Sequence, residues 1–153
     1  MTLNLTMYHK DFDMRLYGKD INADTTSPLT LAFVGDAVFS LYIREMLVVE
    51  ANRPVGKLHT LSVKWVKAEA QSKGMHAILP LLTEKETEVF KRGRNAHTSH
   101  TPKNQSGCDY HYATGFEALV GYLYLKDETE RLTELLNEVI KAIGTDEGEK
   151  TCI

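Results

Sequence analysis

Apolar residues recur along this chain at helical intervals, and polar loops separate the runs. From Leu29 to about Val49 the pattern is helical and apolar nearly all round, which predicts a central helix. "ANRPVG" breaks it. Lys57 to Lys73 reads as one second helix, with Leu58, Leu61, Trp65 and Ala68 on one face and Lys57, Lys64, Lys67 and Gln71 in a stripe beside them. "GMHAILPLL" reads as a short helix or turn that Pro80 interrupts. Thr83 and Glu86 form a capping box that opens a helix through about Lys91. A long polar loop, "RGRNAHTSHTPKNQSGCDY", follows. A helix returns from about Tyr110 to Leu125. Asp127 with Glu130 suggests a further capping box, and the last helix buries Leu132, Leu135, Leu136, Val139, Ile140 and Ile143, with Gly144 placed to end it. No strand, repeat or low-complexity segment stands out. The expected fold is all-α in a single domain, residues 29–144, with a partly ordered leader at 1–28 and a solvated tail at 145–153.

Composition changes this picture little. The 153 residues are 42% hydrophobic and 25% charged, as in ordinary globular domains. Two cysteines, Cys108 and Cys152, make no disulfide framework and point to a reducing cytoplasm. No apolar run reaches the length of a membrane span, and the first twenty residues lack a signal peptide's apolar core.

Charge changes it more. The net charge of −3 argues against nucleic acid as a partner, but its distribution does not. No acid lies between Glu88 and Asp109, where Lys91, Arg92, Arg94 and Lys103 fall. Eight acids lie from Asp127 to Glu149. One surface can therefore be basic although the whole is acidic. Arg92 and Arg94 can grip phosphate oxygens, Lys91 and Lys103 add point charge, and Asn95 and Asn104 can donate hydrogen bonds. With Lys57, Lys64 and Lys67 these residues outline a track for a nucleic-acid backbone. An ordinary solvated turn is the plainer alternative.

The candidate chemistry lies in two apolar segments. "LAFVGDAVFSLYI" holds one charge, Asp36, and "TGFEALVGYLYL" holds one, Glu117. A buried charge without compensation costs several kcal/mol, about what single mutations rarely exceed. The ordinary explanation is a nearby Arg or Lys for each. But Gly35 precedes Asp36 and Gly121 lies one turn after Glu117, so two helices could approach closely and bring the acids together. A divalent cation would then relieve their repulsion, and few hard oxygen ligands suit Mg²⁺. That arrangement fits metal-assisted phosphodiester hydrolysis. His97, His100 and His111, with Cys108 and Asp109, do not match a zinc spacing.

"LAFVGDAVF" resembles the signature helix of the ribonuclease III family, and "TGFEALVGYLYL" resembles its second motif, in the family's order. "FKRGRNA" followed by "TPKN" is similar to the compact Mini-III branch, which lacks a separate double-stranded RNA-binding domain. The resemblance spans roughly Leu29 to Ile143. It implies an all-helical, homodimeric endonuclease that cuts double-stranded RNA with Mg²⁺, or Mn²⁺ as substitute, leaving 5′-phosphate and 3′-hydroxyl ends. Asp36 and Glu117 take the places of catalytic metal ligands, and a ribosomal RNA precursor is the expected substrate. Two further acids of the family signature are replaced, by Ala32 and Thr114. The competing expectation is a non-catalytic RNA-binding or ribosome-associated module on the same fold. A plain helical interaction domain explains neither the acids nor the basic loop.

Overall fold

The computed structural model describes residues 15–96 and 107–149, with side chains as far as Thr145. Among these residues there are helices and no strand. In chain order they are α1 (Pro28–Glu50), α2 (Val55–Val66), α3 (Ala68–Ile78), a 3₁₀ turn (Leu79–Leu81), α4 (Glu84–Arg94), α5 (Gly107–Leu125) and α6 (Thr129–Glu149).

Helix α5 is the axis of the fold and packs against α1, α3, α4 and α6. It can do so because ten of its residues, Ala113–Gly115, Phe116 and Ala118–Leu123, are buried with no wide polar face. Phe116 meets Phe39 of α1 edge to face, their ring centroids 5.0 Å apart. Helix α1 starts at a clean signal: Ser27 accepts from the Thr30 amide, and Pro28 occupies the first turn. Its buried line is Leu31, Gly35, Phe39, Ile43 and Leu47, beside Ala32. A second line, Leu29, Phe33 and Leu41, runs two residues out of step, about 200° around the helix. These residues are exposed, Phe33 by 82%.

The leader residues within the described range dock on α5. Ala23 is buried, Tyr122 donates to Asp24 (2.8 Å), and Arg15 donates to the Leu125 carbonyl (3.2 Å).

Three expectations about the elements are corrected. The segment Lys57–Lys73 is two helices, because Lys67 takes an extended conformation (φ −63°, ψ 151°) between α2 and α3. Asp127 does not open α6. It has φ 61° and closes α5, while the Glu128 amide returns to the Leu123 carbonyl. Helix α6 runs through Gly144 to Glu149 rather than ending there. The Thr83–Glu86 capping box is present, and α4 continues beyond Lys91 to Arg94.

Candidate active site

Gly35 and Gly121 set the site. A Cβ on Gly35 would stand 1.7 Å from the Glu117 carbonyl oxygen, and one on Gly121 would stand 1.9 Å from the Leu31 carbonyl oxygen. Helices α1 and α5 therefore touch backbone to backbone, and no residue with a side chain fits at either position. The acid next to Gly35 and the acid one turn before Gly121 are carried to the same place.

The two acids are not alike. Asp36 is exposed, which corrects the expectation that its carboxylate is buried. It projects from α1 at the rim of the crossing. Glu117 is largely buried, and its pKa is pushed up to about 7. Burial is the main cause, the Asp36 carboxylate adds to it, and the amide of Gln71 pulls the other way. No Lys or Arg is among the groups acting on Glu117, so a neutralising cation from the protein is not the explanation for it. The two family positions that lack acids here are also accounted for. Ala32 is buried, and Thr114 is buried with its hydroxyl donating to the Tyr110 carbonyl (3.0 Å) within its own helix.

Among the described residues no three His, Cys, Asp or Glu side chains cluster to hold a metal. Asp36 and Glu117 alone are suited to one hard cation that keeps most of its water, as Mg²⁺ does. Gln71, whose amide acts on Glu117, carries a buried acceptor, Oε1, that has no hydrogen-bond partner. An acceptor in want of a donor fits a hydrated cation better than a bare or thiolate-bound one.

The basic residues fall in two places. Lys64 and Lys67 line a groove of about 690 Å³ with Trp65, Lys73 and His76, while Lys57 sits two turns away along α2 and does not line it. Lys91, Arg92 and Arg94 occupy the last turn of α4, next to Asn95. Arg94 lies over the Phe90 ring and donates to Asn95 Oδ1 (3.2 Å). Arg94 and Asn95 line a second, shallower groove with Tyr112. The two grooves adjoin where His76 stacks on Tyr112, with ring centroids 4.2 Å apart and planes 7° apart. Lys103 and Asn104, and likewise His97 and His100, lie outside the described residues. Gln71 is not on the lysine stripe: it is 2% exposed and faces α5. Sequence reading missed Lys73, His76 and Tyr112 because nothing in the chain announces that α3 and the first turns of α5 share a groove wall.

Known proteins point the same way. Residues 29–128 match the model of the Ribonuclease III domain. The chain is 51% identical over 117 residues to the Mini-ribonuclease 3 of Thermoanaerobacter sp. (strain X514), covering 76% of this chain and 82% of that one. It is 45% identical over 118 residues to the Mini-ribonuclease 3 of Enterococcus faecalis, covering 76% and 89%. An X-ray crystal structure of a Fusobacterium nucleatum protein superimposes with a TM-score of 0.69 at 32% identity, covering 76% of this chain and 93% of that one. With the acids, the glycine crossing and the helical order in place, the chain belongs to the ribonuclease III family of endoribonucleases, and within it to the Mini-III branch.

Proposed function

We propose that this endoribonuclease cuts double-stranded RNA as a homodimer, with Mg²⁺ held by Asp36 and Glu117, in the maturation of a ribosomal RNA precursor in the cytoplasm. The observation that carries the reading is the pairing of the two acids across the Gly35–Gly121 crossing. Glu117 supplies the strong interaction, because its carboxylate is poorly solvated and repelled by Asp36 until a cation intervenes. Asp36 supplies the open side, from which substrate arrives. Bound there, Mg²⁺ would neutralise the scissile phosphate and make water a better nucleophile. Water adds to phosphorus, the bond to O3′ breaks, and O3′ takes a proton, which gives 5′-phosphate and 3′-hydroxyl ends.

The basic groups do the holding. A-form RNA presents its backbone and 2′-hydroxyls across a wide minor groove, so a protein reads it mainly by shape and phosphate. Lys64, Lys67, Lys91, Arg92, Arg94 and Asn95 are placed for phosphate contact, with Lys57 further along α2. The exposed apolar line of α1 supports the homodimer, since a second copy would cover it. The exposed free thiol of Cys108 suits a reducing cytoplasm, and no helix among the described residues is long and apolar enough to cross a membrane.

The buried, uncharged Ala32 and Thr114 favour one competing reading, a module that binds RNA without cutting it. Cleavage of a long RNA duplex, with and without Mg²⁺, separates the two. Mg²⁺-dependent cutting that is lost in Asp36→Asn and Glu117→Gln, while both still bind duplex, is the expected result. Binding without cutting by the unaltered chain under any divalent ion would establish the module instead.

A further inference from the structure

Gln71 carries the only buried side-chain polar atom among the described residues that lacks a partner, its Oε1. The residue is 2% exposed. Its Nε2 donates to the Val66 carbonyl at 3.0 Å. Val66 is the last residue of α2, so that bond satisfies a carbonyl released where the chain breaks at Lys67. The same bond fixes the amide: Nε2 is committed to the end of α2, and the plane cannot turn over without losing it. The amide N–H also acts on the Glu117 carboxylate of α5, which puts Gln71 against the acid pair. A buried acceptor without a donor costs about 1–3 kcal/mol. Leucine or methionine would avoid that cost, at the loss of the single bond to the Val66 carbonyl. No protein donor among the described residues reaches it. A water molecule is the group that fits, and the water brought to this spot is the one that accompanies the cation.

We propose that Gln71 is a positioning residue for the cation held by Asp36 and Glu117, its Oε1 accepting a hydrogen bond from a water of that cation's hydration shell. The proposal rests on the cation reading given above. It assigns to α3 a part in the site that α1 and α5 form. It also gives the break at Lys67 a purpose, because a continuous helix would have no free Val66 carbonyl to hold the amide.

Mn²⁺ titration of the full chain without RNA, followed by electron paramagnetic resonance of the free ion, tests it. Glu117→Gln should abolish binding. Gln71→Leu should raise the Mn²⁺ dissociation constant by roughly 10-fold or more, the usual effect of losing an outer-shell partner, measured at a temperature where the metal-free variant, which also loses the Val66 bond, is folded. In cleavage it should raise the Mg²⁺ concentration for half-maximal rate more than it lowers the rate at saturating Mg²⁺. Gln71→Glu gives up the same Val66 bond but keeps an acceptor oxygen, so it should bind Mn²⁺ more tightly than Gln71→Leu. If Gln71→Leu binds Mn²⁺ normally while Glu117→Gln does not, Gln71 serves only the joint between α2 and α3, and the cation reading survives. If Glu117→Gln binds Mn²⁺ normally, the cation reading falls and takes this proposal with it. Should Gln71→Leu fail to fold, Gln71→Met takes its place in that comparison, and equal Mn²⁺ binding by the apolar variant and Gln71→Glu overturns the proposal.

Discussion

Gly35 has no room for a methyl group. Its neighbour across the crossing is backbone, which cannot rotate aside as a side chain would. Gly35→Ala must therefore push α1 off α5, and thermal or urea unfolding should show a loss of about 3 kcal/mol or more, at the upper end for overpacking. Glu117 makes a second prediction. Its pKa is near 4.5 in the unfolded chain and about 7 in the folded one. Between those values the folded chain holds a proton that the unfolded chain has released, so stability falls as pH rises through that window. In metal-free buffer, urea unfolding should lose on the order of 2 kcal/mol across it, and Glu117→Gln should remove that dependence. A cation at the site competes with the same proton, so the Mg²⁺ concentration for half-maximal cleavage should rise as pH drops below about 7. These residues were legible in the sequence because one acid beside one glycine, in an otherwise apolar helix, is rare enough to question. That Asp36 is exposed while Glu117 is buried was not legible, since it depends on which side of the crossing each faces.

At the scale of elements, α4 shows both what local sequence states and what it leaves out. Thr83 and Glu86 declare the helix start within four residues. Nothing local reveals that Glu86 also receives Arg131 of α6, through Nε (2.8 Å) and Nη2 (2.9 Å), 45 residues away. Arg131 holds the Glu86 carboxyl below the usual carboxylate range, so this contribution to stability is present above pH 4.5 and is lost as acid is added. Arg131→Ala leaves a buried carboxylate without its main partner and should destabilise the fold by about 3 kcal/mol in chemical denaturation. The break between α2 and α3 is a harder case. "VKAEA" contains no Gly or Pro, and a helix read straight through it puts Gln71 in line with the lysines. The extended Lys67 resets the rotation of everything after it, which sends Gln71 inward. The basic cluster of Lys91, Arg92 and Arg94 was plain from charge alone, but the sequence put Arg92 and Arg94 in a loop, whereas they close the last turn of α4. Reversing Arg92 and Arg94 to Glu should weaken duplex binding and lower the slope of log affinity against log salt by about one per lost phosphate contact.

At the scale of the whole molecule, the surface of α1 is the unresolved expense of the fold. Phe33, Leu41, Val48 and Val49 face solvent at 82%, 59%, 60% and 80% exposure. A helix apolar nearly all round was evident in the sequence, but only the packed helices show which half stays uncovered. Phe33→Glu should convert the proposed dimer to a monomer in sedimentation equilibrium and leave the melting of the monomer nearly unchanged, because Phe33 is 82% exposed on its own chain. The glycine contact has a mechanical meaning as well. Main chain rests on main chain there, from Leu31 to Gly35 on one side and Glu117 to Gly121 on the other, and the Phe39 and Phe116 rings pack alongside. Both acids sit within about one turn of that contact. A backbone stop of this kind has one closest approach and no rotamers to choose among. The spacing of Asp36 and Glu117 is therefore set like a gauge block, by main-chain thickness rather than by how side chains happen to pack.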